Sequence, residues 1–415
     1  MAYSERTRSL FAGEITSIKE KGLFKEKRYI CSPQDAEIDV EYPEGAPRKH
    51  VLNFCSNNYL GLSSHPEVVK AAHEGLDARG YGMSSVRFIC GTQDIHRELQ
   101  DRMSTFLGME DTILFPSCMD ANAGVFEAVL GQEDVIIADR LIHASLVDGI
   151  RLCSAEYDTY KHMNMKHLKE KLELHRDKRT RMIVTDGVFS MDGDLAPMDE
   201  ICALAEQHDA MVLVDDSHAS GFIGKTGRGV HEHFGVMDRV DIITTTFGKA
   251  LGGASGGCVS GKREIVELCH QKARPFLFSN ALAPSIVKAS IKVIDLISKS
   301  TERRDRLEAN TKRFREKITA AGLFVRPGET PIVPVMLYNA KLANDMARDM
   351  YAEGIYVVGF FFPVVPAGAA RIRVQLSAAH TDDQIDRCVA AFRKVGEKYG
   401  IIGLDKDGII AQYGM

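Results

Sequence analysis

The chain is 415 residues long, 45% hydrophobic and 26% charged, the balance of an ordinary soluble globular protein with room for two domains. A net charge of −5 offers no basic face for nucleic acid or an anionic membrane, and no apolar run approaches the ~20 residues that span a bilayer. Nine scattered cysteines without a Cys-x-x-Cys, and fourteen histidines without a His-Glu-x-x-His, argue against a disulfide framework and the common zinc motifs.

The start, Met1-Ala-Tyr-Ser-Glu-Arg6, has no apolar signal core, so a cytoplasmic location is expected. An amphipathic pattern from Leu10 to Lys21 predicts a helix followed by a polar, irregular arm, together an N-terminal unit over 1–58. Short β-rich runs follow at 112–115, 135–138, 182–185, 211–214 and 242–245, with helical stretches such as 198–208 between them. That spacing predicts crossover connections and a mainly parallel mixed sheet flanked by helices, a large α/β domain over 59–284. Beyond Pro284 the pattern becomes helical over 285–321 with a break at 298–300. A strand at 332–337, a helix at 340–353, strands at 355–358 and 370–376 and a closing helix from Thr381 complete it. These elements predict a smaller α+β domain over 285–402, and 403–415 is expected to be a mobile tail.

Ligands of such sheets bind beyond the carboxyl ends of the strands. Lys249 stands there, after the apolar and threonine run 241–246 and before a Gly-rich turn. A desolvated lysine loses its proton more readily and can attack a carbonyl, so Lys249 is a candidate for Schiff-base chemistry. Asp215 and Asp216 close the preceding strand, and two adjacent carboxylates are costly to bury without cationic partners. Asp215 suits a protonated ring nitrogen, with His218 facing the same ligand; the simpler reading is a solvated helix cap.

Ser117-Cys118-Met119-Asp120-Ala121-Asn122 opens a helix expected over 123–130, and a helix start of small residues favours a phosphate. His143 could stack on a planar ring or move a proton, and Ser190, in a Gly-punctuated loop, could bond a ligand oxygen. Arg371 and Arg373 share one face of a strand, and a guanidinium fork suits a substrate carboxylate; spacing does not choose between them. Gly256 to Lys262 fits Gly-x4-Gly-Lys but carries Arg263 where a magnesium-binding hydroxyl belongs, and Gly224 to Gly229 does not match a dinucleotide loop.

Taken together, these residues resemble the fold-type I pyridoxal-phosphate enzymes and, among them, the α-oxoamine synthases, which condense an amino acid with an acyl-CoA. The resemblance runs over about 22–402 and rests on the stretches 53–62, 91–96, 185–193, 214–219 and 246–253. The residues after Gly91, the Asp-Asp-Ser-His stretch and 277–284 are similar to the members that use glycine and acetyl-CoA. The resemblance implies pyridoxal 5'-phosphate linked to Lys249, Asp215 at the ring nitrogen, His218 at the ring hydroxyl and His143 on the ring face. It also implies Ser190 and Thr246 around the cofactor, and the Cys118 and Met119 backbone at its phosphate. Ser279 and Asn280 are implied to reach a phosphate in the neighbouring subunit of a homodimer, with Arg373 and Asn57 on the substrate carboxylate. The implied reaction interconverts glycine plus acetyl-CoA with 2-amino-3-oxobutanoate plus CoA. Synthases using succinyl-CoA or a longer acyl group, an aminotransferase and a non-catalytic partner subunit are the alternatives.

Overall fold

The computed structural model describes residues 3–20 and 24–414. Lys21, the expected end of the N-terminal helix, lies outside the described residues; the helix itself spans Glu5–Glu20.

A seven-stranded sheet forms the centre of the molecule. In chain order its strands are β1 (Asp111–Phe115), β2 (Val135–Asp139), β3 (Glu156–Tyr160), β4 (Arg181–Asp186), β5 (Ala210–Asp215), β6 (Ile242–Thr246) and β7 (Gly257–Gly261). Their spatial order is β1-β7-β6-β5-β4-β2-β3, and only β7 runs antiparallel to its neighbours. Strands β2 and β4 are buried along their whole length, which is why they read as continuous apolar runs and not as alternating ones.

Two strands of this sheet escape the sequence pattern, and the arm expected to be irregular also holds strands Glu37–Glu41 and Lys49–Asn53. The edge strand β3 reads Glu-Tyr-Asp-Thr-Tyr and is largely open to solvent. The other, β7, is fully buried although it reads Gly-Cys-Val-Ser-Gly. A Cβ on Gly257 would stand 2.5 Å from Cys118 Cα, so glycine lets β7 run close against the helix start. The Gly-x4-Gly-Lys run is therefore a buried strand and not a phosphate loop.

Helix α1 (Cys118–Val129) follows β1 and helix α2 (Ala144–Leu152) follows β2. They cross closely, because a Cβ on Gly149 would meet Asn122 O at 2.2 Å. The expected break near residue 300 is present: one helix spans Pro284–Lys299 and the next Glu302–Ala320. The first of these packs on helices Pro66–Arg79 and Asp94–Leu107.

The C-terminal part holds a three-stranded antiparallel sheet of β8 (Ile332–Tyr338), β9 (Gly359–Phe360) and β10 (Ala370–Gln375), in the order β8-β10-β9. Helix Ala340–Ala352 packs on it, and helix Asp382–Lys398, capped by Thr381, packs on that helix. The N-terminal arm is tied to this part, since strand Lys49–Asn53 pairs in parallel with Ile355–Tyr356. The tail expected to be mobile instead contains a helix, Lys406–Tyr413, with Ile409 buried and Asn339 Nδ2 donating to Tyr413 O at 3.0 Å. The eight residues of this helix carry no amphipathic period for a sequence reading to find. No helix among the described residues is long and apolar enough to cross a membrane.

Candidate active site

Parallel strands deliver their carboxyl ends to one edge of the sheet, and a cavity of about 230 Å³ lies there. Its wall includes Asp186 at the end of β4, Asp215 at the end of β5, Thr246 at the end of β6, Lys249 just beyond, and the first turn of α1. Register explains the meeting, because Asp186 pairs with Asp215 and Asp215 with Thr244 across neighbouring strands.

Lys249 Nζ makes no hydrogen bond or ion pair among the described residues, and burial lowers its pKa against the opposing pull of Asp215. An amine in that state attacks carbonyls and accepts protons. Asp215 is buried and held from both oxygens: Asn122 Nδ2 donates to Oδ2 at 2.8 Å and the Ser217 N–H donates to Oδ1 at 3.0 Å. Asn122 also donates to Ser145 Oγ at 2.9 Å, and Ser145 Oγ lies 2.7 Å from His143 Nδ1. A continuous chain thus links Asp215 to His143, which caps α2 and lines the cavity. Burial lowers the His143 pKa, which favours the neutral ring.

The two adjacent aspartates part company. Asp216 is buried just beyond the end of β5, where it accepts from Ser220 Oγ at 2.6 Å and from the Val230 N–H at 3.2 Å. No cation meets it among the described residues, and burial pushes its pKa up to about 7. The expectation that burial of both carboxylates requires cationic partners is corrected: hydrogen bonds and a raised pKa suffice. Asp186 is likewise pushed well above the usual carboxylate range by burial and by Asp215, while its Oδ1 accepts from the His143 N–H at 3.1 Å.

At the start of α1, Ser117 is the cap: Oγ accepts from the Asp120 N–H at 3.1 Å and donates to Asp120 Oδ2 at 2.8 Å. The helix begins earlier than expected, so Cys118 and Met119 form its first turn and stand on the cavity wall. Thr246 Oγ1 accepts from the Gly248 N–H at 3.0 Å, which shapes the turn before Lys249. His218 is buried on the same wall, and Tyr59 Oη lies 2.8 Å from its Nδ1.

The arginines differ sharply. Arg371 Nη1 meets Asp192 Oδ1 at 2.6 Å, so its charge is matched. Arg373 is buried without a carboxylate partner among the described residues: Nη1 donates to Ser190 O at 2.7 Å, Nε has no partner, and the guanidinium stacks 4.8 Å from the Phe360 ring centre. An unmatched buried cation is an anion site in waiting. Ser190 does not line the cavity itself; its carbonyl steers Arg373. Asn57 Oδ1 accepts from Gln375 Nε2 at 2.6 Å, two residues along the strand from Arg373. Ser279 and Asn280 are not brought to this cavity. Asn280 is exposed and pairs with Val86 in an isolated bridge on another face.

Asn122, Ser145, Tyr59 and Gln375 were not singled out in the sequence. A faint signal existed for two of them: Asn122 shares a helix face with Cys118, and Gln375 shares a strand face with Arg373.

The family model for class I and II aminotransferases matches residues 49–392. The chain is 54% identical over 391 residues to the 2-amino-3-ketobutyrate coenzyme A ligase of Escherichia coli K12, covering 94% of this chain and 97% of that one. It is 44% identical to the 8-amino-7-oxononanoate synthase of Thermosipho melanesiensis, covering 95% and 99%. Among solved structures, a serine palmitoyltransferase of S. paucimobilis with a bound PLP–myriocin aldimine superposes with a TM-score of 0.88 at 29% identity, covering 94% and 98%.

Proposed function

The chain belongs to the aminotransferase class I and II family, and we propose that it joins glycine to the acetyl group of acetyl-CoA, releasing CoA and 2-amino-3-oxobutanoate, and catalyses the reverse cleavage. The observation that carries this reading is 54% identity, end to end, with a 2-amino-3-ketobutyrate coenzyme A ligase. The second reading, a synthase using a longer acyl group, is favoured by the lower identities to 8-amino-7-oxononanoate synthase, 44%, and serine palmitoyltransferase, 29%.

Pyridoxal phosphate is the cofactor, and the cavity's residues fit it. An amine without a partner among the described residues faces a buried carboxylate across a cavity of about 230 Å³. Bound there, the cofactor's ring would accept electrons from the glycine α-carbon. Lys249 would anchor it, and the Cys118 and Met119 backbone would hold its phosphate, together with Ser279 and Asn280 of the partner subunit. Asp215 would hold the ring nitrogen in its protonated form, a charge-assisted bond worth roughly 1.5–3 kcal/mol. His218 would serve the ring hydroxyl, His143 the ring face and Thr246 the surrounding wall, while Ser190 acts through the carbonyl that holds Arg373.

Arg373 takes the glycine carboxylate, with Asn57 beside it. Lys249 Nζ, free once the glycine amine has replaced it and pushed toward its neutral form by burial, would remove the proton from the glycine α-carbon. That carbon attacks the thioester carbonyl, the carbon–carbon bond forms and CoA leaves as the thiolate.

A homodimer with shared sites is supported by an apolar patch: Tyr81 is 86% exposed, Ile89 71%, Phe278 65% and Phe88 62%. The Val86–Asn280 bridge brings the two segments of that patch together. The cytoplasm, a reducing compartment, suits the nine free thiols.

The test is Lys249→Ala. It is expected to abolish CoA release from glycine plus acetyl-CoA, together with the visible absorbance of the anchored cofactor. Retained turnover would contradict the assignment.

A further inference from the structure

Tyr59 is fully buried, and its hydroxyl has two polar neighbours. Gln375 Nε2 donates to Tyr59 Oη at 2.8 Å and spends its other proton on Asn57 Oδ1 at 2.6 Å. The second neighbour is His218 Nδ1, at 2.8 Å. A phenol has one proton to give. With its oxygen accepting from Gln375, that proton finds an acceptor only at His218 Nδ1 among the described residues. A proton on Nδ1 would leave the Tyr59 hydroxyl hydrogen buried without a partner, which is costly.

Burial, with the charges of Lys249 and Arg373, holds His218 neutral. Its single proton then belongs on Nε2, which makes no bond among the described residues although His218 stands on the cavity wall. The ring positions are fixed by packing: Tyr59 lies against Phe222 with centroids 4.7 Å apart, and edge-on to His218 at 6.0 Å. Gln375 follows Arg373 on the same face of β10, so one strand reaches both the substrate carboxylate and this pair.

We propose that Tyr59 and Gln375 are positioning residues that lock His218 into the Nε2–H tautomer, so that it offers a fixed donor to the ring oxygen of the cofactor. The proposal rests on the pyridoxal-phosphate reading of the cavity. It also couples the two ends of the site, because Asn57, beside the substrate carboxylate, shares the Gln375 amide that orients Tyr59.

Neutron diffraction from the full-length protein at neutral pH reads the tautomer with or without cofactor in the cavity. Its failure is therefore distinguishable from failure of the acyl-transfer reading. Deuterium on Nε2 of His218, with the Tyr59 deuterium aimed at Nδ1, is the expected result; deuterium on Nδ1 overturns the proposal. Tyr59→Phe and Gln375→Leu are each expected to lower kcat roughly 10-fold, the scale at which outer partners of a functional histidine act. Tyr59→Phe leaves the glycine KM within about twofold, and in a His218→Gln background it adds less than about twofold to the loss. An equal loss in both backgrounds would mean that Tyr59 acts independently of His218, and would also overturn the proposal. Should Tyr59→Phe fail to fold, Gln375→Leu carries the same comparison.

Discussion

At the scale of single residues, the site works by leaving chosen charges unmatched. Arg371 and Arg373 occupy the same face of one strand, yet only Arg371 has a carboxylate. Arg373→Ala is accordingly expected to raise the glycine KM roughly 10- to 150-fold, the equivalent of about 1.5–3 kcal/mol, with little change in the acetyl-CoA KM. Arg371→Ala should instead lower the unfolding midpoint, because it removes a buried ion pair and leaves Asp192 only its Arg326 partner. If steady-state kinetics show the glycine effect at Arg371, the two roles are reversed. The sequence already marked Lys249 and Asp215, since apolar runs that end abruptly in a charged residue expose strand termini. It could not show which arginine was paired, because Asp192 is remote in sequence and reaches Arg371 only through the fold. The Asp215–Asn122–Ser145–His143 chain was hidden for the same reason: each link joins a different element.

At the scale of elements, Asp215 ends β5 in the cavity and Asp216 follows it into a buried site of its own, with a consequence for stability. Asp216 is pushed by burial from 3.8 to about 7. A carboxyl whose pKa is raised in the folded state favours folding fully below the unfolded value and loses that contribution as pH rises through the folded one. Stability should therefore fall between pH 3.8 and about 7, by up to about 1.4 kcal/mol per unit. Asp216→Asn mimics the neutral acid toward Ser220 and the Val230 N–H, and should remove that slope. Urea titrations of both proteins across the window check this; parallel curves would show that Asp216 does not titrate there. The order of elements was largely legible from apolar runs and turn residues. Strands β3 and β7 were not, because an edge strand tolerates polar residues and a strand pressed against a helix start needs glycine.

At the scale of the whole molecule, the cavity lacks the groups that the proposed phosphate site takes from a partner. Ser279 and Asn280 sit beside the exposed Phe278, next to Val86, Phe88 and Ile89. Ile89→Asp puts a charge in that apolar patch and should shift the protein toward monomer in sedimentation, with weaker cofactor retention. An unchanged dimer that keeps its cofactor would remove this patch from the interface. Hydrogen bonds join the arm's end (Asn57 and the adjoining Tyr59), the small sheet (Gln375) and His218 on the cavity wall, while the choice of acyl group is carried by no single one of these residues. The most direct measurement is therefore the steady-state rate of CoA release with glycine and a series of acyl-CoAs. The account predicts the highest kcat/KM with acetyl-CoA, falling as the acyl chain lengthens; a clear preference for succinyl-CoA or a longer acyl group would contradict it.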